Sequence, residues 1–81
     1  MSAKYIIVKR GNLLSALVFS EIETHNDIRI ALGVSIENVH SAGFVMINSN
    51  GAMIAYGESV SIGVGTAKDS TRILNAHLNH G

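Results

Sequence analysis

Two apolar runs separated by a short polar break constrain this chain more than any other feature. Residues 3–8, AKYIIV, and 13–19, LLSALVF, are rich in β-branched, aromatic and aliphatic side chains, and Arg10-Gly11-Asn12 lies between them. Glycine and asparagine at a reversal point predict a hairpin. Neither run alternates strictly between polar and apolar residues, so both faces of both strands need cover. Helices of the same chain supply cover for one face, and a second copy of the chain is the economical cover for the other.

The remaining elements follow in order. Thr24-His25-Asn26-Asp27 places an N-cap residue three positions before a carboxylate, Ile28, Ala31 and Leu32 share a face, and Gly33 suits the residue after the last turn. A short helix is expected there, and residues 35–41 read as a turn or a single helical turn. Residues 43–48, GFVMIN, read as a strand, Ser49-Asn50-Gly51 as a hairpin loop, and 52–56 as the returning strand. In 59–64, SVSIGV, the serines alternate with Val60, Ile62 and Val64, which predicts a half-exposed strand with the three apolar residues on one face. Thr66-Ala67-Lys68-Asp69 repeats the capping arrangement, and Ile73, Leu74, His77 and Leu78 form a helical stripe. The fold class is α+β: a small antiparallel sheet with a short middle helix and a C-terminal helix on one side.

With 81 residues, the chain forms one domain spanning 1–81, because it is too short to divide into two stable cores. It is 47% hydrophobic and only 15% charged, more apolar than a small solitary domain needs to cover itself, and this points to a homo-oligomer. Six basic and six acidic residues cancel, which removes any general attraction for a nucleic acid polymer or an anionic membrane. Cysteine is absent, and with it disulfides, thiolate nucleophiles and thiolate zinc sites. No run approaches the ~20 apolar residues of a membrane span, so a cytoplasmic protein is expected.

Three kinds of chemistry are worth weighing. The first is anion capture: Gly63 and Gly65 allow close backbone approach, Thr66 opens a helix, and Lys68 and Arg72 fall one turn apart. The plain alternative is a strand-to-helix turn in which Asp69 caps the amides. The second is metal binding by His77 and His80, with His25 and His40 in loops or helix starts, but the spacing matches no zinc motif. The third is hydrolysis by Ser59 or Ser61 with His40 and Glu58, for which there is no G-x-S-x-G elbow. No catalytic residue, metal or cofactor is therefore assigned. Phe44 and Tyr56, on adjacent strands of one hairpin, are candidates for stacking on a ring or for the core.

Ser41-Ala42-Gly43-Phe44-Val45, then Tyr56-Gly57-Glu58-Ser59-Val60-Ser61-Ile62-Gly63, then Asp69 before an apolar helix resemble the phage-encoded anti-Thoeris and anti-CBASS sponge family. The resemblance spans residues 41–78. It implies an oligomer in an infected bacterial host that sequesters a cyclic nucleotide or ADP-ribose-derived signal without degrading it. Backbone amides of 63–67 with Lys68 and Arg72 would meet phosphate, Phe44 or Tyr56 the ring, and Ser59 or Ser61 the ribose hydroxyls. The chain departs from the family where Glu58 replaces an expected arginine, and where Ala67-Lys68-Asp69 replaces a proline-bearing turn. The competing expectation is a small protein-interaction module, an inhibitor or anti-repressor docking through an exposed apolar strand face.

Overall fold

Strands β1 (Ser2–Arg10) and β2 (Leu13–Phe19) form the expected hairpin, in register from Arg10 opposite Leu13 to Lys4 opposite Phe19. The computed structural model describes residues 2–78. Gly11 takes φ +62 while Asn12 does not go positive, the pattern of a II′ turn, whose twist matches that of the strands. Helix α1 (His25–Leu32) begins where Thr24 Oγ1 accepts the Asp27 amide, and ends at Gly33, whose φ of +71 turns the chain into the left-handed region. A 3-10 turn (Ile36–Asn38) then leads into β3 (Val39–Ile47), which starts four residues earlier than the sequence pattern predicts. Strand β4 (Met53–Tyr56) returns against β3, and the loop between them is braced by Asn48 Oδ1, which accepts the amides of Asn50 and Ala52.

These strands make one antiparallel sheet in the order β2-β1-β3-β4, so β1 and β3 are central. The apolar run of β1 is covered on both faces, as its composition demands. Tyr5 and Ile7 pack with Val45, Ile73 and Leu74 beneath α2 (Ser70–Leu78), while Ile6 and Val8 pack on the opposite face with Val34, Val39, Ala42, Ile62 and the α1 residues Ile28 and Leu32. The two helices thus stand on opposite sides of the sheet, not on one side as the sequence pattern predicts, because successive residues of β1 point to opposite faces and both faces are apolar. For β1, the cover that the sequence reading assigned to a second copy comes from this chain itself.

The segment from Gly57 onward departs most from its sequence pattern. Instead of one alternating strand, Glu58–Ser59 (β5) pairs with Val64–Gly65 (β6) in a two-stranded hairpin. Gly63 at φ +68 and its amide bonded to the Ser59 carbonyl close the turn. Val60 is consequently thrown out, 89% exposed, while Ile62 is buried, although the alternation placed both on one face.

The start of α2 is also corrected. Thr66 does not cap it. Tyr5 Oη donates to Thr66 Oγ1 at 2.7 Å, which leaves Ser41 to donate to Tyr5 Oη at 2.7 Å and Ser70 to donate to Ser41 Oγ at 2.6 Å. Ser41 also accepts the Ala67 amide. Tyr5, Ser41 and Ser70 are all fully buried, and this hydroxyl chain fixes the entry to α2 four residues beyond Thr66. In α2 itself Ile73 and Leu74 are buried, whereas His77 and Leu78 are exposed.

Candidate functional site

A cavity of about 350 Å³ opens on the α1 side of the sheet, within the size range of small-molecule sites. Lys4 comes to it from β1, Thr24 and His25 from the start of α1, Phe44 from β3, and Glu58, Ser59, Val60 and Ser61 from β5 and its turn. Two local devices hold these elements together. The Asn26 amide, free in the first turn of α1, donates to Ser61 Oγ and ties the hairpin turn to the helix. Gly43 meanwhile lets the chain cross closely over β3: a Cβ there would lie 2.6 Å from the Tyr56 carbonyl oxygen and 2.7 Å from Thr66 Oγ1.

His25 is buried in the site, at 3% exposure. Its Nε2 lies 3.1 Å from the Tyr5 carbonyl oxygen and 2.9 Å from that of Gly43. Both oxygens only accept, so Nε2 carries the proton and donates to the pair. Burial lowers the His25 pKa, the Gly43 carbonyl pulls it back up, and the Lys4 charge lowers it further. The ring is therefore neutral at pH 7, with its lone pair on Nδ1. His25 lines the cavity, and no hydrogen bond to its Nδ1 is formed among the described residues.

Aromatic rings extend across the same face. Phe19 and Phe44 meet His25 edge-on at 5.3 and 6.4 Å, and Tyr56 stacks on Phe44 at 5.8 Å with 28° between the planes. Ser59 is buried, and its hydroxyl has Ser61 Oγ, at 3.4 Å, as its one hydrogen-bond partner among the described residues. The Lys4 ammonium gives one proton to the Glu23 carbonyl at 2.8 Å and keeps two more donors. Cavity charge is thus one ammonium and one carboxylate, that of Glu58.

The nine residues singled out from the sequence fall into separate places. Phe44, Ser59 and Ser61 line the cavity, and Tyr56 backs Phe44. Gly63 and Gly65 shape the adjoining hairpin. The amides meant for phosphate are already bonded: Gly63 to the Ser59 carbonyl, Thr66 to the Gly57 carbonyl and Ala67 to Ser41 Oγ. Lys68 is exposed in the turn before α2, and Arg72 is 74% exposed on the helix, across the sheet from the cavity. Asp69, 4.0 Å from Arg72, accepts from His40 Nε2 at 2.9 Å, and that hydrogen bond is the main reason its carboxyl is held below its ordinary value.

Neither rival chemistry is assembled among the described residues. His40 is engaged by Asp69 rather than by Ser59 or Ser61, and no serine hydroxyl meets a histidine nitrogen. No cluster of three metal-ligating side chains occurs among the described residues, and His80 lies outside them. No described helix is long and apolar enough to cross a membrane. Sequence reasoning gave Lys4 no role in a site and weighed His25 only among possible metal ligands. Their only signal was His25 directly after an N-cap residue, a position from which a side chain can reach back over the sheet.

The fold defines a small α+β protein with a cavity between its sheet and first helix. Comparison with protein-family models, curated proteins and solved structures gave no match.

Proposed function

We propose that this protein reversibly binds a small molecule bearing a flat heteroaromatic ring and hydroxyl groups, and holds it without altering it. The observation that carries the proposal is His25: a buried, neutral imidazole that lines one cavity with Phe44 and Ser59 and has no hydrogen-bond partner at Nδ1 among the described residues. A ring N–H or hydroxyl of the ligand donates to Nδ1. Phe44, backed by Tyr56, offers an aromatic surface, and Ser59 and Glu58 accept from hydroxyls. The Lys4 ammonium, with two donors left over, offers a charge-assisted contact to a ligand phosphate. The lack of any serine–histidine hydrogen bond among the described residues favours retention over turnover.

The resemblance to nucleotide-signal sponges supplies the ligand class, a cyclic mononucleotide or an ADP-ribose-derived signal, and with it an anti-defence role in an infected host. Binding is placed in the His25 cavity, because the amides of Gly63, Thr66 and Ala67 are bonded within the chain. Titration calorimetry against cyclic mononucleotides and cyclic ADP-ribose isomers tests this, followed by heat release and chromatography of the ligand. The expected result is depletion before heating and intact recovery afterwards. Phe44→Ala is expected to weaken binding about 5- to 100-fold, the loss of one stacked ring, while Arg72→Ala leaves it unchanged. Loss of binding in Arg72→Ala with full binding in Phe44→Ala would refute the cavity, and recovery of altered ligand would make the protein an enzyme.

A further inference from the structure

The two edges of the sheet are treated differently by the rest of the chain. Along β4, α2 supplies the missing partners: Asn75 accepts the Met53 amide at 3.0 Å and donates to the Met53 carbonyl at 2.8 Å, and Thr71 Oγ1 accepts the Ala55 amide at 3.0 Å. That edge is closed. At the other edge, β2 pairs only with β1, and among the described residues no side chain bonds to its outer side. Seven residues, LLSALVF, run there without a bulge, proline or charge, and Ser15 is their one polar member. Leu13 is 73% exposed and Leu17 39%. Small proteins rarely leave a strand of this kind open, since its amides and carbonyls are a template for another strand.

The charges flanking β2 decide what fits. Lys9 and Arg10 stand exposed at its beginning, and Glu21 and Glu23 exposed just past its end. An antiparallel copy of the same strand brings the basic end of one chain against the acidic end of the other, at both ends at once. A parallel copy would set like charges together.

We infer that β2 is a self-association edge, across which two copies join antiparallel about a two-fold axis near Ala16 to make one eight-stranded sheet. Pairing centred on Ala16 engages all seven residues and sets Leu13 opposite the partner subunit's Phe19, covering the most exposed leucine of the strand. The contact is independent of the ligand cavity, so either proposal can fail alone.

Sedimentation of the full chain over a concentration series tests it, together with two charge reversals that leave the strand intact. The wild-type chain is expected to dimerise reversibly, and more weakly as salt is raised. E21K/E23K and K9E/R10E are each expected to weaken self-association roughly tenfold or more. An equimolar mixture of the two variants restores dimers, because each chain then meets the opposite charge at both ends. A wild-type chain that stays monomeric at millimolar concentration overturns the inference. So does a dimer that neither reversal weakens, or a mixture that fails to recover. Should K9E/R10E lose its fold with the Arg10–Leu32 hydrogen bond, the salt titration of the wild type decides instead: self-association indifferent to salt is the overturning result.

Discussion

Replacing Gly43 with alanine probes the chain crossing on which the cavity depends. Gly43 sits inside β3 opposite Tyr5 and does not use positive φ, so alanine meets no backbone penalty there and only contact matters. Its Cβ would stand 2.6 Å from the Tyr56 carbonyl oxygen, 2.7 Å from Thr66 Oγ1 and 3.1 Å from the Gly57 carbonyl oxygen. Carbon and oxygen ordinarily approach to about 3.3 Å. The Thr66 hydroxyl can rotate away, at the expense of the proton it accepts from Tyr5. The two carbonyls cannot, because Tyr56 is paired with Phe44 and the Gly57 oxygen accepts the Thr66 amide. The backbone near Tyr56 and Gly57 must therefore lift by several tenths of an ångström.

Overpacking of this kind costs about 1–3 kcal/mol, and two fixed oxygens place Gly43→Ala near the upper end. For a domain of this length the melting temperature should fall by roughly 10–20 °C. Thermal and urea unfolding followed by circular dichroism measure the loss. Ligand affinity should fall with it, since the lifted segment leads directly into β5 and Ser59. Adding Thr66→Ala removes one of the three contacts and should recover little. A single variant within about 0.5 kcal/mol of the wild type, or full rescue by Thr66→Ala, would show that the crossing does not rest on Gly43.

Two further outcomes are expected. Tyr5→Phe deprives Thr66 of its donor but leaves the Ser41 proton able to turn to the Gly65 carbonyl 3.4 Å away; denaturant unfolding should register a loss of about 1–2 kcal/mol, and an unchanged midpoint would contradict the hydroxyl chain. His25 is held neutral in the folded protein, its pKa lowered chiefly by burial. Unfolding therefore takes up a proton in acid, and the stability His25 contributes is complete above its ordinary value of about 6.5 and declines as pH falls below it. Melting temperatures between about pH 7 and pH 5 should show this slope, and His25→Asn should flatten it even though that variant is less stable throughout. A slope identical in the two proteins would remove His25 as its source.

The elements that announced themselves locally were legible without coordinates. Arg10-Gly11-Asn12 between two apolar runs specified the first hairpin, Thr24 and Gly33 bounded α1, and Gly51 belonged to the β3–β4 loop, because each depends on backbone chemistry within a few residues. The stretch 57–66 was misleading for the converse reason. Its alternation is a strand pattern, but positive φ at Gly57 and Gly63 breaks the strand, and alternation carries no information about where a glycine bends. Thr66 has the spacing of a cap, yet its oxygen is taken by Tyr5, sixty-one residues away in sequence.

The site divides along the same line. Residue types placed Phe44 and Tyr56 among the binding candidates, the resemblance added Ser59 and Ser61, and the fold brings these to one face. Lys4 and His25 join them only because β1, α1 and β5 meet there, and Lys68 and Arg72 leave because α2 packs on the other side of the sheet. Composition and turn chemistry therefore determined the strands of the four-stranded sheet, the first helix and the need to cover both faces of β1. Which side each helix covers, which amides remain free and which edge stays open were decided by contacts between residues far apart in the chain, where hydrogen-bond partners are chosen by packing and not by sequence spacing.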